Sequence, residues 1–95
     1  MPSICSFYGI IIYMYKETGE KHHMPHIHAE YGDYEGVYDF DGKMIEGSMP
    51  ANKKKLIVAW IAIHADELQA NWTLLDRGEQ FFKIDPLKWF LKLQN

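Results

Sequence analysis

The stretch His26-Ile27-His28-Ala29-Glu30-Tyr31-Gly32-Asp33-Tyr34-Glu35-Gly36-Val37-Tyr38-Asp39-Phe40-Asp41-Gly42 decides the fold class. From His26 to Tyr31 apolar and polar side chains alternate, as they do on a strand with one face toward a core. Gly32-Asp33 has glycine first, which suits a two-residue type II′ turn, and Tyr34 to Phe40 forms the returning strand. Asp41-Gly42 signals a type I′ turn before a further strand from Lys43 to Gly47. The first turn sets the register. Tyr31 falls opposite Tyr34, Ala29 opposite Gly36 and Ile27 opposite Tyr38, an apolar face that Phe40 and Ile45 continue. The other face carries His26 opposite Asp39, His28 opposite Val37 and Glu30 opposite Glu35. The histidines therefore project from the polar face, and a slip of one residue would turn them inward.

Upstream, residues 7–15 (Phe-Tyr-Gly-Ile-Ile-Ile-Tyr-Met-Tyr) are β-branched and aromatic almost throughout, the pattern of a strand buried on both faces. Lys16 to Pro25 is a loop. From Pro50 the period becomes helical: Leu56, Trp60, Ile63, Leu68, Trp72 and Leu75 recur at steps of three to five. Ser48 is placed to cap the start, with a proline near the first turn, and Gly78 to end it. Asp66 with Gln69 has the form of a capping box. The periodicity leaves open one helix or two broken near His64–Asp66. Asp85-Pro86 reads as the start of a short C-terminal helix whose stripe is Leu87, Phe90 and Leu91, flanked by Trp89 and Leu93. The expected architecture is α+β: an antiparallel meander of about four strands, then two or three helices packed on one face. One domain covers 1–95, with sheet over 1–47, helix over 48–78 and a C-terminal extension over 79–95.

Composition agrees with a folded domain. Of 95 residues, 47% are hydrophobic and 15% aromatic, ample core material for a chain this short. The single cysteine, Cys5, cannot form an internal disulfide and reads as a small core residue. No apolar run approaches the ~18 residues of a membrane span, and no signal peptide is recognisable, so the expected location is cytoplasmic. Charge is segregated. Residues 1–50 carry three lysines against eight carboxylates, a net −5, whereas residues 51–95 carry seven basic against five acidic residues, a net +2. An acidic sheet half disfavours direct nucleic-acid contact and suits a cation or a basic protein. Lys53-Lys54-Lys55 is the single basic run and reads as a solvated helix face.

Four of the five histidines lie within seven residues, His22-His23-Met24-Pro25-His26-Ile27-His28. His26 and His28 share one strand face, His22 or His23 on the loop could close a third corner, and Glu30 lies further along the same face. Three readings stay open. The histidines cap the loop and bond carbonyls at the strand edge. Alternatively His22, His26 and His28, with His23 and Glu30 in reserve, bind a zinc-like divalent metal. In the third, His26 and His28 act as general acid and base, with Asp39 orienting His26. His64, beside the Trp60–Trp72 stripe, reads as a satisfied, partly buried histidine.

The chain resembles a bacterial family, domain of unknown function 4160. The shared pattern includes Pro2, Ile4, Phe7, Gly9-Ile10 and Met14-Tyr15, then His22, Pro25, His26, His28-Ala29 and Tyr31-Gly32. It continues through Asp41-Gly42, Gly47, Pro50, Trp60, His64, Leu68, Trp72 and Ile84-x-Pro86-Leu87. The resemblance selects His22 over His23 as the third member of the cluster. The chain departs from the pattern where Met24 replaces a proline and Ile27 an aromatic residue, and where His23 is extra. Members are short bacterial proteins without an established activity, similar to toxin–antitoxin components and encoded beside another small protein. That implies a small protein partner. A homo-oligomer through Leu87, Trp89, Phe90, Leu91 and Leu93 is the other association to expect.

Overall fold

A computed structural model of the chain describes residues 3–16 and 24–88. Five strands form one antiparallel sheet in sequential order: β1 (Ser3–Phe7), β2 (Ile10–Tyr13), β3 (His26–Tyr31), β4 (Tyr34–Asp39) and β5 (Met44–Gly47). Two helices follow, α1 (Ala51–Ile63) and α2 (Ala65–Asp76). The arrangement is α+β, as the segregation of strand and helix periods predicts.

The β3–β4 register agrees pair by pair with the sequence reading, from His26↔Asp39 to Tyr31↔Tyr34. Gly32 has φ +58° and is the only residue of its turn with positive φ, as a type II′ turn requires. The second turn differs from expectation. The Asp39 N–H bonds the Lys43 carbonyl, the Gly42 N–H bonds the Asp39 carbonyl, and within Phe40-Asp41-Gly42 only Gly42 (φ +90°) is left-handed. This is a three-residue loop ending in a left-handed glycine, so β5 begins at Met44 rather than Lys43.

The apolar run at 7–15 also needs correction, because it is not one strand. Tyr8 (φ +50°) and Gly9 (φ +81°) turn the chain back, placing Phe7 opposite Ile10 and Cys5 opposite Ile12. Both central residues of a type I′ turn need positive φ. A tyrosine at the first of these gave no local sign of a turn. The Lys53 ammonium donates to the Tyr8 carbonyl (3.1 Å) and lies 4.7 Å from the centre of the Tyr31 ring. Lys53 is thus a tie between helix and hairpin, while Lys54 and Lys55 are exposed.

The core joins one face of the sheet to the helices. Ile10, Ile12, Ile27, Ala29 and Tyr38 cluster with Ile57, Trp60, Ile61 and Leu68. Burial of this apolar area is the main stabilising term. The helical stripe is shifted from the expected one, since Ile57 and Ile61 are buried and Ile63 is 61% exposed. His64 (φ −111°, ψ 22°) separates the helices, which settles the one-or-two question in favour of two. Pro50 is the residue before α1, and the Ser48 N–H bonds the Glu35 carbonyl rather than Ser48 capping the helix. The Asp66–Gln69 box is not what starts α2. His64 occupies the cap position and its Nδ1 pairs with Glu67, three residues on. At the other end the Gly78 N–H bonds Leu75 O and the Glu79 N–H bonds Leu74 O, closing α2 with a left-handed glycine as expected.

Residues 79–88 contain no helix, contrary to the expected helix start at Asp85-Pro86; Trp89, Phe90, Leu91 and Leu93 lie outside the described residues. The segment is instead a strap across the open end of the core. Asn71, fully buried, donates to the Phe82 carbonyl (2.7 Å) and accepts from the Phe82 N–H (3.0 Å). The Trp60 indole donates to the Asp85 carbonyl (2.8 Å), and the Ile84 N–H bonds Ile4 O (3.0 Å) on β1. Side-chain amides that mimic a backbone pair in this way satisfy buried polar groups that no strand reaches.

Candidate functional site: the imidazole pair of β3

His26 and His28 alternate with Ile27 along β3, so both lie on the face away from the core cluster. The register alone predicts side chains open to water. Instead His26 is wholly buried and His28 is 4% exposed. Neighbouring rings account for part of this cover. Tyr15 stacks on His28 at 4.3 Å between ring centres, and Trp72 of α2 meets His26 at 5.3 Å. The two imidazoles stand edge to face, 5.1 Å apart. The expectation of a polar, solvated histidine face is therefore corrected by rings brought from two other parts of the chain.

Each ring is held through Nδ1. His26 Nδ1 lies 2.8 Å from the Met24 carbonyl, and His28 Nδ1 lies 3.1 Å from a Glu35 carboxylate oxygen. A carbonyl or carboxylate only accepts, so in both rings the proton sits on Nδ1 and the lone pair of the neutral ring on Nε2. This is the arrangement that fixes ring orientation in histidine ligands and general bases. Glu35 is a partner that the direct cross-strand pairs do not name. Val37 is directly opposite His28, and Glu35 is its diagonal neighbour, within reach of a long side chain.

Asp39 does not orient His26, although the two pair across the strands. One oxygen of its carboxylate accepts both the Asp41 and the Lys43 N–H, each at 2.9 Å. Aspartate holding a turn through its own following amides is a local interaction that outcompetes the cross-strand one. Glu30 is half-buried, paired at Cα with Ile11 on one side and Glu35 on the other. His22 and His23 lie outside the described residues. Among the described residues no group of three or more histidine, cysteine, aspartate or glutamate side chains could hold a metal ion. A cleft of about 220 Å³, lined by Met24, Pro25, Asp39, Phe40, Asp41 and Gln69, opens beside the loop that carries the Met24 carbonyl.

The remaining reactive groups are structural. Cys5 is buried, and desolvation above all pushes its thiol up to about 11, leaving it a poor nucleophile at neutral pH. Burial likewise raises the Tyr38 phenol, whose oxygen has no hydrogen-bond partner among the described residues. His64 pairs with Glu67 and leans on Trp60, the part-buried position its place in the stripe predicts. Asn71 was the polar residue that sequence reasoning passed over. Its signal is its spacing, three residues after Leu68 on the buried face of α2.

The family model described as domain of unknown function (DUF4160) matches residues 9–73. The chain belongs to the DUF4160 family. The matched region spans β2 to most of α2 and so contains both imidazoles, Glu35 and Trp72. β1 and the strap lie outside it. No curated protein and no solved structure matches this DUF4160 chain. No helix among its described residues is long and apolar enough to cross a membrane.

Proposed function

We propose that this chain is a small bacterial protein-interaction component of a toxin–antitoxin-like pair, acting in the cytoplasm and binding a basic protein partner through the outer face of its sheet. One observation carries the reading: that face groups Glu30, Glu35 and Glu46 around the part-exposed Ile11, while the helices, Trp72 at His26 apart, pack on the other face. Acidic side chains around apolar ones suit a cationic protein surface, where the charges set the rate and orientation of encounter. The same charge opposes phosphate backbones. Expressed with its neighbouring small protein, the chain should co-purify with it. The pair Glu30→Lys and Glu46→Lys should abolish retention while circular dichroism stays unchanged. A partner that binds the charge-reversed chain equally well, or no basic partner at all, refutes this reading.

A second reading is a metal-binding or RNase-like hydrolytic protein centred on His22, His26 and His28, with His23 and Glu30 in reserve. The Nδ1-held imidazoles favour it, since Glu35 orients His28 as a second carboxylate would orient a ligand or base. Asp39 has no part in this version, being engaged by its turn. A zinc-like ion, if bound, would need His22 or His23 as a third ligand, and would supply Lewis acidity. Zinc titration of the wild type and His26→Ala separates the cases. Equal, negligible binding by both ends the metal version, and RNA cleavage unaffected by His28→Ala ends the hydrolytic one.

A further inference from the structure

From Leu56 to Ile63 the sequence of α1 is apolar without a break, with none of the polar interruptions that an amphipathic surface helix shows. The core uses only part of it. Ile57, Trp60 and Ile61 are buried. Roughly 150° around the helix from them, at 100° per residue, lie Ala51, Lys55, Val58, Ala59 and Ala62. Of these only Val58 is half-buried, and it packs against the core cluster. This second apolar side forms a groove of about 440 Å³ lined by Ala51, Lys54, Lys55, Val58 and Ala59.

Charge along the helix pair indicates what fits there. Lysines 53–55 sit at the start of α1, and Asp66 and Glu67 sit in the first turn of α2, just past its end. Lys54 lies nine residues before the end of α1 at Ile63, about 14 Å at 1.5 Å per residue, and the acidic first turn of α2 follows directly after His64. An antiparallel copy of the same helix, centred near residue 60, brings Lys54 and Lys55 of each chain to the acidic turn of the other. It lays Val58 against Ala62 and opposes the two helix dipoles favourably. A parallel copy would put lysines against lysines.

We propose that two copies of this chain associate antiparallel through the α1 groove, the lysines of one meeting the Asp66–Glu67 turn of the other. This surface is separate from the acidic sheet face, so a homodimer leaves that face available to a different protein.

The test is sedimentation of the full chain over a concentration series at low and high salt. The mass should rise from 11.2 kDa toward twice that value, and less so at high salt. Ala59→Arg alters an exposed side chain and should hold the chain monomeric with unchanged circular dichroism. Lys54→Glu with Lys55→Glu should weaken self-association about tenfold or more, as should Asp66→Lys alone. Mixing these two variants should restore the dimer, because both ends of the mixed pair are then complementary. A monomer at every concentration overturns the proposal. So does a dimer that Ala59→Arg leaves intact, one lost only on removing residues 89–95, or a mixture that stays monomeric.

Discussion

At the scale of single residues, His28 and Gly47 show how one contact governs another. Glu35 joins them. Its carboxylate accepts from His28, and its carbonyl accepts from the Ser48 N–H beside Gly47. Gly47 has φ +95°, and a Cβ there would lie 2.1 Å from the Glu35 carbonyl oxygen, so that no side chain fits without moving β4. Gly47→Ala should cost about 3 kcal/mol in urea unfolding, combining left-handed strain with the backbone displacement. Glu35→Gln keeps the shape but replaces a charged acceptor with a neutral one. It should cost only about 1 kcal/mol, because the Glu35 side chain is half exposed and water screens the pair. The informative readout is the His28 ring signal by NMR, which should shift while that of His26, held by Met24, does not. Equal shifts in both rings would show that the pair is not held one ring at a time.

At the scale of elements, the strap 79–88 depends on few bonds, and Asn71 supplies two of them. Asn71→Ala should cost about 2 kcal/mol, since it leaves the Phe82 amide and carbonyl to find water. Hydrogen exchange at Phe82 and Ile84 should accelerate more than at Ile27 in the central strand. Uniform acceleration would mean that the strap opens only with the whole fold. The two helices follow a different logic. Their division at His64 was visible as a choice of two readings, and at the break His64 pairs with Glu67, three residues into α2.

At the scale of the molecule, alkaline pH tests the core. Cys5 titrates at about 11 in the fold against 9.0 when free, and Tyr38 is also raised, from 10.0, both through desolvation. Each is an acid whose neutral form the fold favours. The Cys5 contribution to stability is whole below pH 9 and is lost as pH climbs toward 11, and that of Tyr38 is whole below pH 10 and is lost above it. The urea midpoint should hold steady from pH 7 to 9 and then fall. Cys5→Ala should make the fall shallower; an unchanged slope would exclude Cys5 as a cause. In the same way, Cys5 should react slowly with a thiol reagent at pH 8 until urea is added.

What the sequence by itself determined is whatever a local rule controls. The Gly32-Asp33 turn sets the β3–β4 pairing, because a two-residue loop leaves one register in which the apolar residues share a face. The change from alternation to helical spacing near Pro50 determined the α+β class in the same way. The tertiary structure decided the rest, and for one reason: the deciding partners are far apart in sequence. Trp72 reaches His26 across 46 residues, Tyr15 reaches His28 across 13, and Lys53 supports the Tyr8–Gly9 turn from 45 residues away. Turn chemistry and periodicity carry no information about such partners. The face on which the histidines stand was therefore legible, and their burial was not.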